Sequence, residues 1–167
     1  LVLTLGTGIG FGFTVNGKFL EESSVNHLAG HIIIRKTGRK CYCGLDGCLE
    51  SLISARGLLK IVEEAIREDK QTVLWKTEQL TIEDVFGAFS EGDSLAVSVI
   101  NQFLEDLAAG LNNYIHLFVP ERIILGGGMA AEVEPYLDRL QKSLVARPIP
   151  DYRVELCLSE LKEEAGL

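Results

Sequence analysis

Cys41-Tyr42-Cys43-Gly44-Leu45-Asp46-Gly47-Cys48-Leu49-Glu50 is the stretch from which the rest of the chain can be read. Three of the four cysteines fall within these ten positions, and His31 stands ten residues before the first of them. One imidazole and three thiols form the donor set a tetrahedral structural zinc accepts, because thiolates neutralise the dication and four protein ligands leave no open position. The intervals Cys-x-Cys and Cys-x4-Cys enclose Gly44 and Gly47, which let the backbone turn sharply enough for the sulfurs to converge. Inert buried thiols are the competing reading. The charged neighbours Arg39, Lys40, Asp46 and Glu50 oppose it, since a buried free cysteine normally sits among apolar side chains. The expected metal ligands are therefore His31, Cys41, Cys43 and Cys48. Bound zinc would contribute on the order of 10 kcal/mol to ordering a segment with few apolar residues of its own. Cys157, between Leu156 and Leu158, fits core packing instead.

The surrounding composition narrows the partners. The chain has 167 residues, with 16 Lys+Arg against 24 Asp+Glu, a formal charge of −8. Such a balance belongs to one soluble domain or two small lobes and repels a phosphate backbone. The basic cluster Arg35, Lys36, Arg39 and Lys40 is too small to reverse that field, so no nucleic acid is expected on this segment. Clustered cysteines are a poor plan for a disulfide scaffold and point to a reducing, cytoplasmic setting. No apolar run approaches the roughly 18 residues of a membrane span. Leu1 opens inside a strand pattern without Met, so the chain reads as a fragment and the lack of a leader carries no weight.

Leu1 to Leu20 has strand character, with Asn16-Gly17 as a hairpin turn. His31 to Ile34 reads as a short buried strand. From Leu49 the apolar spacing turns helical, with Gly57 marking a break between two helices. Thr81 and Asp84 form a capping-box-like start, and a second start follows at Asp93. Leu95, Val99, Phe103, Leu107, Leu111 and Ile115 recur every four residues and predict one helix from Asp93 to Phe118, ended by Pro120. A strand over Arg122 to Leu125, a turn at Gly126-Gly127-Gly128, a helix from Glu132 to Val145 and a strand from Arg153 to Leu158 complete an α/β pattern.

Gly6, Gly8, Gly10 and Gly12 alternate with Thr7, Ile9, Phe11 and Phe13, so an extended chain would show one bare face and one mostly apolar face. Main-chain N–H groups and the Thr7 hydroxyl could hold an anion there; a bent hairpin in which glycine relieves crowding fits equally well. No helix follows directly, which excludes a dinucleotide-binding fingerprint. Gly126 to Gly128 follow a strand and precede a helix, where a nucleotide can approach the backbone. An ordinary strand-to-helix turn is the plainer alternative, and two backbone-baring segments in one domain favour the nucleotide.

Leu5-Gly6-Thr7-Gly8-Ile9-Gly10, Gly30-His31, the Cys41 to Glu50 stretch and Pro120-Glu121-Arg122-Ile123-Ile124-Leu125-Gly126-Gly127-Gly128 together resemble the ROK family of sugar kinases and sugar-responsive repressors. The resemblance implies an actin/hexokinase-like, ribonuclease H-like ATPase fold, with residues 1–167 as its C-terminal lobe carrying a zinc knuckle. It implies that Gly6, Thr7, Gly8 and Gly10 line ATP phosphates, with Mg²⁺ screening them, and that Gly126, Gly127 and Gly128 face the adenosine. His31 would bind zinc and lie against the sugar, while Glu50 would accept hydrogen bonds from sugar hydroxyls. On residues alone, Glu50 is a solvated acid at a helix start.

The implied function is ATP-dependent phosphorylation of a hexose or N-acetylhexosamine; a sugar-sensing repressor is the alternative, and a ligand-free zinc-stabilised interaction domain a third. The family's catalytic aspartate lies upstream of the glycine hairpin, so no residue here takes that role, and Asp46 is a turn residue. Relatives are commonly oligomers, so a homo-oligomer is expected. One departure stands out: the family usually places glutamate three residues before the zinc histidine, and this chain has Leu28, with Asn26 or His27 as neighbouring substitutes. His116, near the end of the long helix, is expected to be structural.

Overall fold

The computed structural model describes residues 1–19, 28–68, 71–144 and 151–161. A four-stranded sheet in the order β2-β1-β5-β6 forms one layer, from β1 (Val2–Leu5), β2 (Ile9–Gly12), β5 (Arg122–Gly126) and β6 (Glu155–Leu158). β1 pairs antiparallel with β2 and parallel with β5, and β5 runs parallel to β6. A separate hairpin joins β3 (Thr14–Val15) to β4 (Lys18–Phe19). It turns at Asn16 and Gly17, both at positive φ (51° and 74°), as a tight two-residue turn requires. The opening segment is thus two hairpins in succession, because Gly6 to Gly8 turn the chain before Asn16-Gly17 does so again.

Alternation fixes which face of the sheet is covered. Leu3, Leu5, Ile9, Phe11, Ile123, Leu125 and Leu156 are all buried. Val2, Thr4, Gly10, Gly12, Ile124 and Cys157 are half-buried. Gly10 stands opposite Thr4 in the antiparallel register, close enough that any Cβ there would collide with the threonine hydroxyl. Glycine alternation is therefore a sheet feature only from Ile9 onward; Gly6 and Gly8 belong to the turn.

The helical layer comprises α1 (Leu49–Ile53), α2 (Ala55–Glu68), α3 (Ile82–Ser90), α4 (Ser94–Phe118), α5 (Ala130–Val133) and α6 (Leu137–Ser143). The break between the first two falls at Ser54, three residues before Gly57. The Ser54 hydroxyl accepts the Gly57 N–H at 3.1 Å and so caps α2. Gly57 is needed for space, since a Cβ would lie 2.5 Å from the Ser51 carbonyl. His31 to Ile34 is not a buried strand: Ala29–His31 form a 3-10 turn, and Ile33 is 52% exposed with a lone bridge to Cys48. The predicted helix from Glu132 starts at Ala130 and is interrupted at Glu134–Tyr136, where Pro135 leaves a 3-10 turn between α5 and α6; Val145 lies outside the described residues.

α3 begins with a complete capping box between Thr81 and Asp84. α4 begins at Asp93, whose carboxylate accepts the Ala96 N–H at 3.0 Å, and ends at Val119 in a left-handed conformation before Pro120. Asp93 also accepts the Thr72 hydroxyl at 3.0 Å and the Val73 N–H at 2.9 Å, tying the preceding connection to the helix start. Burial alone would raise this carboxyl, but the N–H groups of Ala96 and Val73 and the Thr72 hydroxyl outweigh it and hold it below its ordinary 3.8. A lowered carboxyl stabilises the fold above its unfolded value, and the contribution fades as pH falls through the folded value. Asp93→Ala should therefore cost about 1–2 kcal/mol at neutral pH. In chemical denaturation the gap from the wild type should close in acid below about pH 4.

Candidate sugar, phosphate and metal site

The site is assembled along one row of α4. Asp106, Gly110, Tyr114 and Phe118 are spaced by four and share a face adjacent to the predicted apolar stripe. Asp106 takes a two-pronged hydrogen bond from Arg35 at 2.8 and 2.7 Å. Burial pushes its carboxyl up while the guanidinium pulls it down, and burial prevails. Gly110 lets Leu49 lie against the helix, since a Cβ would sit 2.6 Å from the leucine methyl. The Tyr114 hydroxyl donates to the Ala29 carbonyl at 2.7 Å, and its ring packs 5.2 Å from Phe11. Phe118 packs on Phe11 and Phe13. One helix face thus seats the cysteine knuckle, α1, the turn before His31 and β2.

Within the knuckle, Ile34 and Arg35 donate their N–H groups to the Gly47 carbonyl, and Leu49 donates to Ile32. Cys41 donates to Leu45 at 2.8 Å and Gly44 to Cys41 at 3.1 Å, closing a tight loop. His31, Cys41, Cys43 and Cys48 converge, their donor atoms all within 4.8 Å of one another. His31 Nδ1 lies 3.4 Å from Cys41 Sγ, and Cys43 and Cys48 sulfurs are 3.5 Å apart. Zinc bonds of about 2.0 Å to nitrogen and 2.3 Å to sulfur place tetrahedral donors roughly 3.5–3.8 Å apart, and the His31–Cys41 and Cys43–Cys48 pairs stand close to that spacing. Burial pushes the Cys48 thiol up to about 12 and raises Cys41, whereas the Leu45 N–H helps pull exposed Cys43 down. A dication would offset that crowding of sulfur charge.

Of the basic cluster, Arg35 is consumed by Asp106 and Arg39 by Glu64, the latter at 2.6 Å. Asp46 is exposed and meets Lys40 only through an isolated antiparallel backbone bridge. His116 is exposed, its ring nitrogen 2.7 Å from the Asn112 carbonyl on its own helix. Leu28 is 64% exposed, its carbonyl accepting the His31 N–H. Asn26 and His27 lie outside the described residues.

Glu50 joins the knuckle to the glycine turn. Its carboxylate accepts the Ile9 N–H at 2.9 Å, passing so close to Gly8 and Gly30 that Cβ atoms there would lie 3.2 and 3.4 Å from it. From the other side, Ala55 at the start of α2 donates to the Gly6 carbonyl at 2.8 Å. Parallel pairing of β1 with β5 brings the second glycine segment alongside, and Met129 donates to Leu5. A groove of about 390 Å³ is lined by Thr4, Gly6, Thr7, Gly8, Ile9, Gly10, Glu50, Gly127 and Gly128. None of these is Lys or Arg. Gly126, a buried member of β5, is not among the residues that line it. A smaller cavity of about 110 Å³ that shares Thr7 and Glu50 is lined also by Tyr42, Ser54 and the cations Arg39, Lys40, Arg56 and Lys60.

Asp106, Gly110 and Tyr114 support the site without standing out in the sequence, although an acid four residues before a glycine, on the buried side of a leucine-rich helix, is a usable signal. Tyr42 was hidden as the variable position between two cysteines. Its ring stands edge-on to His31 at 5.0 Å, and its hydroxyl lies 3.1 Å from His31 Nε2. Desolvation raises the phenol, and the Glu50 carboxylate adds to it.

Three comparisons bear on this arrangement. The model of the ROK family matches residues 1–167. A glucokinase of Thermotoga maritima is 30% identical over 174 residues, covering 100% of this chain and 55% of that protein. The chain spans about half the length of the curated relatives it matches. Among solved structures, a ROK family transcriptional regulator homologous to the E. coli MLC protein superposes with a TM-score of 0.79 at 30% identity, over 94% of this chain and 40% of that one. A ROK family glucokinase from Streptomyces griseus, in complex with glucose and AMPPNP, gives a TM-score of 0.79 at 25% identity, over 99% and 57%. The hexokinase-like ATPase fold is that of these relatives.

The approach of the two glycine segments can be tested directly. Gly127 has φ +85°, and a Cβ there would lie 2.5 Å from the Leu5 carbonyl, whereas nothing lies within 4 Å of one at Gly128. Gly127→Ala should destabilise by on the order of 3 kcal/mol, from left-handed strain plus overpacking. Gly128→Ala should fall within about 0.5 kcal/mol of the parent by urea denaturation.

Proposed function

The chain belongs to the ROK family, and on that premise we propose that residues 1–167 are the C-terminal lobe of an ATP-dependent kinase for a hexose or N-acetylhexosamine. The observation that carries this reading is the shared groove: two glycine segments distant in sequence border one opening, with the Glu50 carboxylate at its edge. Gly6, Thr7, Gly8 and Gly10 offer main-chain N–H groups and a hydroxyl to phosphate oxygens, and Gly126 to Gly128 let the nucleoside approach the strand end. Glu50, held by the Ile9 N–H, accepts from carbohydrate hydroxyls beside His31. ATP supplies the phosphoryl group, accompanied by Mg²⁺; a phosphorus–oxygen bond forms to the sugar, ADP leaves, and the hydroxyl proton passes to a base outside this chain. Zinc held by His31, Cys41, Cys43 and Cys48 would have a structural part, fixing the segment that leads into Glu50.

Glucokinase relatives support the kinase reading. A sugar-sensing repressor is the second reading, favoured by the regulator among the structural relatives. The intact protein, assayed with ATP and glucose, N-acetylglucosamine, fructose or N-acetylmannosamine, separates them: ADP release on one of these sugars is the expected result, and sugar binding without turnover favours the repressor. Glu50→Gln should lower kcat/KM by about 10- to 10²-fold, the loss of a charged hydrogen-bond acceptor worth roughly 1.5–3 kcal/mol. Elemental analysis should find about one zinc per chain, and Cys43→Ser should lose it together with the order of residues 39–48.

A further inference from the structure

We infer that the small cavity between the cysteine knuckle and α2 is an oxyanion site, taking the phosphate group of a phosphorylated carbohydrate whose hydroxyls reach Glu50. The sugar half of that ligand rests on the function proposed above; the oxyanion half rests on the charges and donors of the cavity itself. With a volume of about 110 Å³, it falls below the roughly 300 Å³ at which pockets begin to hold whole small molecules, so it has room for one compact group. Arg39, Lys40, Arg56 and Lys60 line it against the single carboxylate of Glu50. Four of the chain's 16 cationic side chains thus meet at one cavity of a protein whose net charge is −8, while the adjoining glycine groove has none.

Most of that charge is uncommitted. Arg39 is held by Glu64, but the side chains of Lys40, Arg56 and Lys60 enter no ion pair among the described residues. Arg56 and Lys60 stand one turn apart on α2, and the other positions three and four residues from Arg56 are Leu52, Ile53 and Leu59, so no acid offsets it along the chain. Like charges at that spacing repel, and an anion bridging them removes the repulsion. Neutral donors are gathered at the same place. Ser54 is buried and accepts the Gly57 N–H at 3.1 Å, which leaves its own hydroxyl hydrogen to give. At the start of α2, Ala55 donates to the Gly6 carbonyl, Gly57 to Ser54 Oγ and Leu58 to the Ser54 carbonyl. The Arg56 N–H is therefore the first-turn amide without a partner among the described residues.

Glu50 sets what the rest of the ligand must be. Its carboxylate lines both the cavity and the glycine groove. The Ile9 N–H and the neighbouring Tyr42 phenol use part of its accepting capacity, but a carboxylate has about four lone-pair directions, so acceptors remain. An acceptor-only group beside four cations suits a ligand that carries hydroxyls next to its phosphate. The ester oxygens then meet Lys40, Arg56, Lys60 and Ser54, and the hydroxyls meet Glu50.

The test titrates the intact protein calorimetrically, at constant ionic strength and without ATP, with D-glucose, its 1- and 6-phosphates, N-acetyl-D-glucosamine, its 6-phosphate, and inorganic phosphate. One ester should bind about tenfold or more tightly than its parent sugar. Arg56→Gln combined with Lys60→Gln should abolish that advantage, with affinity for the parent sugar and zinc content unchanged. Lys18→Gln combined with Lys142→Gln makes the same change in net charge at two exposed sites elsewhere and should keep the advantage. Esters no tighter than their sugars, or an advantage that survives loss of Arg56 and Lys60 or falls equally in the control, would overturn the site while leaving the carbohydrate reading standing. Inorganic phosphate bound through Arg56 and Lys60 with no gain from an attached sugar would overturn the ligand class. A protein that binds none of the sugars or esters would remove the carbohydrate reading, and this inference with it.

Discussion

A row of four positions on one helix, Asp106, Gly110, Tyr114 and Phe118, holds the functional end of the molecule together. Each makes a different kind of contact: an ion pair to Arg35, a bare approach to Leu49, a hydrogen bond to the Ala29 carbonyl, and aromatic packing on Phe11 and Phe13. The half-buried pair of Asp106 and Arg35 adds little net stability by itself, because desolvating the charges offsets much of their attraction. Its value is geometric. It fixes the azimuth at which the polar knuckle meets α4, and the close approach at Gly110 fixes the distance.

Glu50 transmits that placement to the glycine turn. One backbone N–H, from Ile9, crosses from the sheet to a carboxylate two residues beyond the last cysteine of the knuckle. The glycines at 8 and 30 give the carboxylate room, so their smallness is explained by a side chain from elsewhere as well as by anything that enters the groove. The knuckle, the first helix and the turn consequently form one unit, and strain in any of them is felt in the others.

Much of this was legible in the chain itself. The convergence of His31, Cys41, Cys43 and Cys48, both caps of the long helical region and the strand before Gly126 follow from donor chemistry, Asp93, Thr81 with Asp84, and apolar spacing. Legibility failed where a tertiary partner decided the outcome. Ile32 and Ile34 look like strand residues, yet their backbone partners are Leu49, the first residue of α1, and Gly47 in the knuckle, so no ladder develops. Gly57 looks like a break, but its role is to admit the Ser51 carbonyl, and Ser54 does the breaking. Position 42 carries no pattern at all, and only the fold turns its hydroxyl onto His31.

The groove between the two glycine segments has a further consequence. Its lining combines a carboxylate with peptide dipoles and no cationic side chain, in a chain of net charge −8. A polyanion lying there must bring its own counter-charge. Residence of such a guest would depend on divalent ion activity, while an uncharged guest beside Glu50 would be indifferent to it. The two halves of one opening thus answer to different features of the surrounding solution.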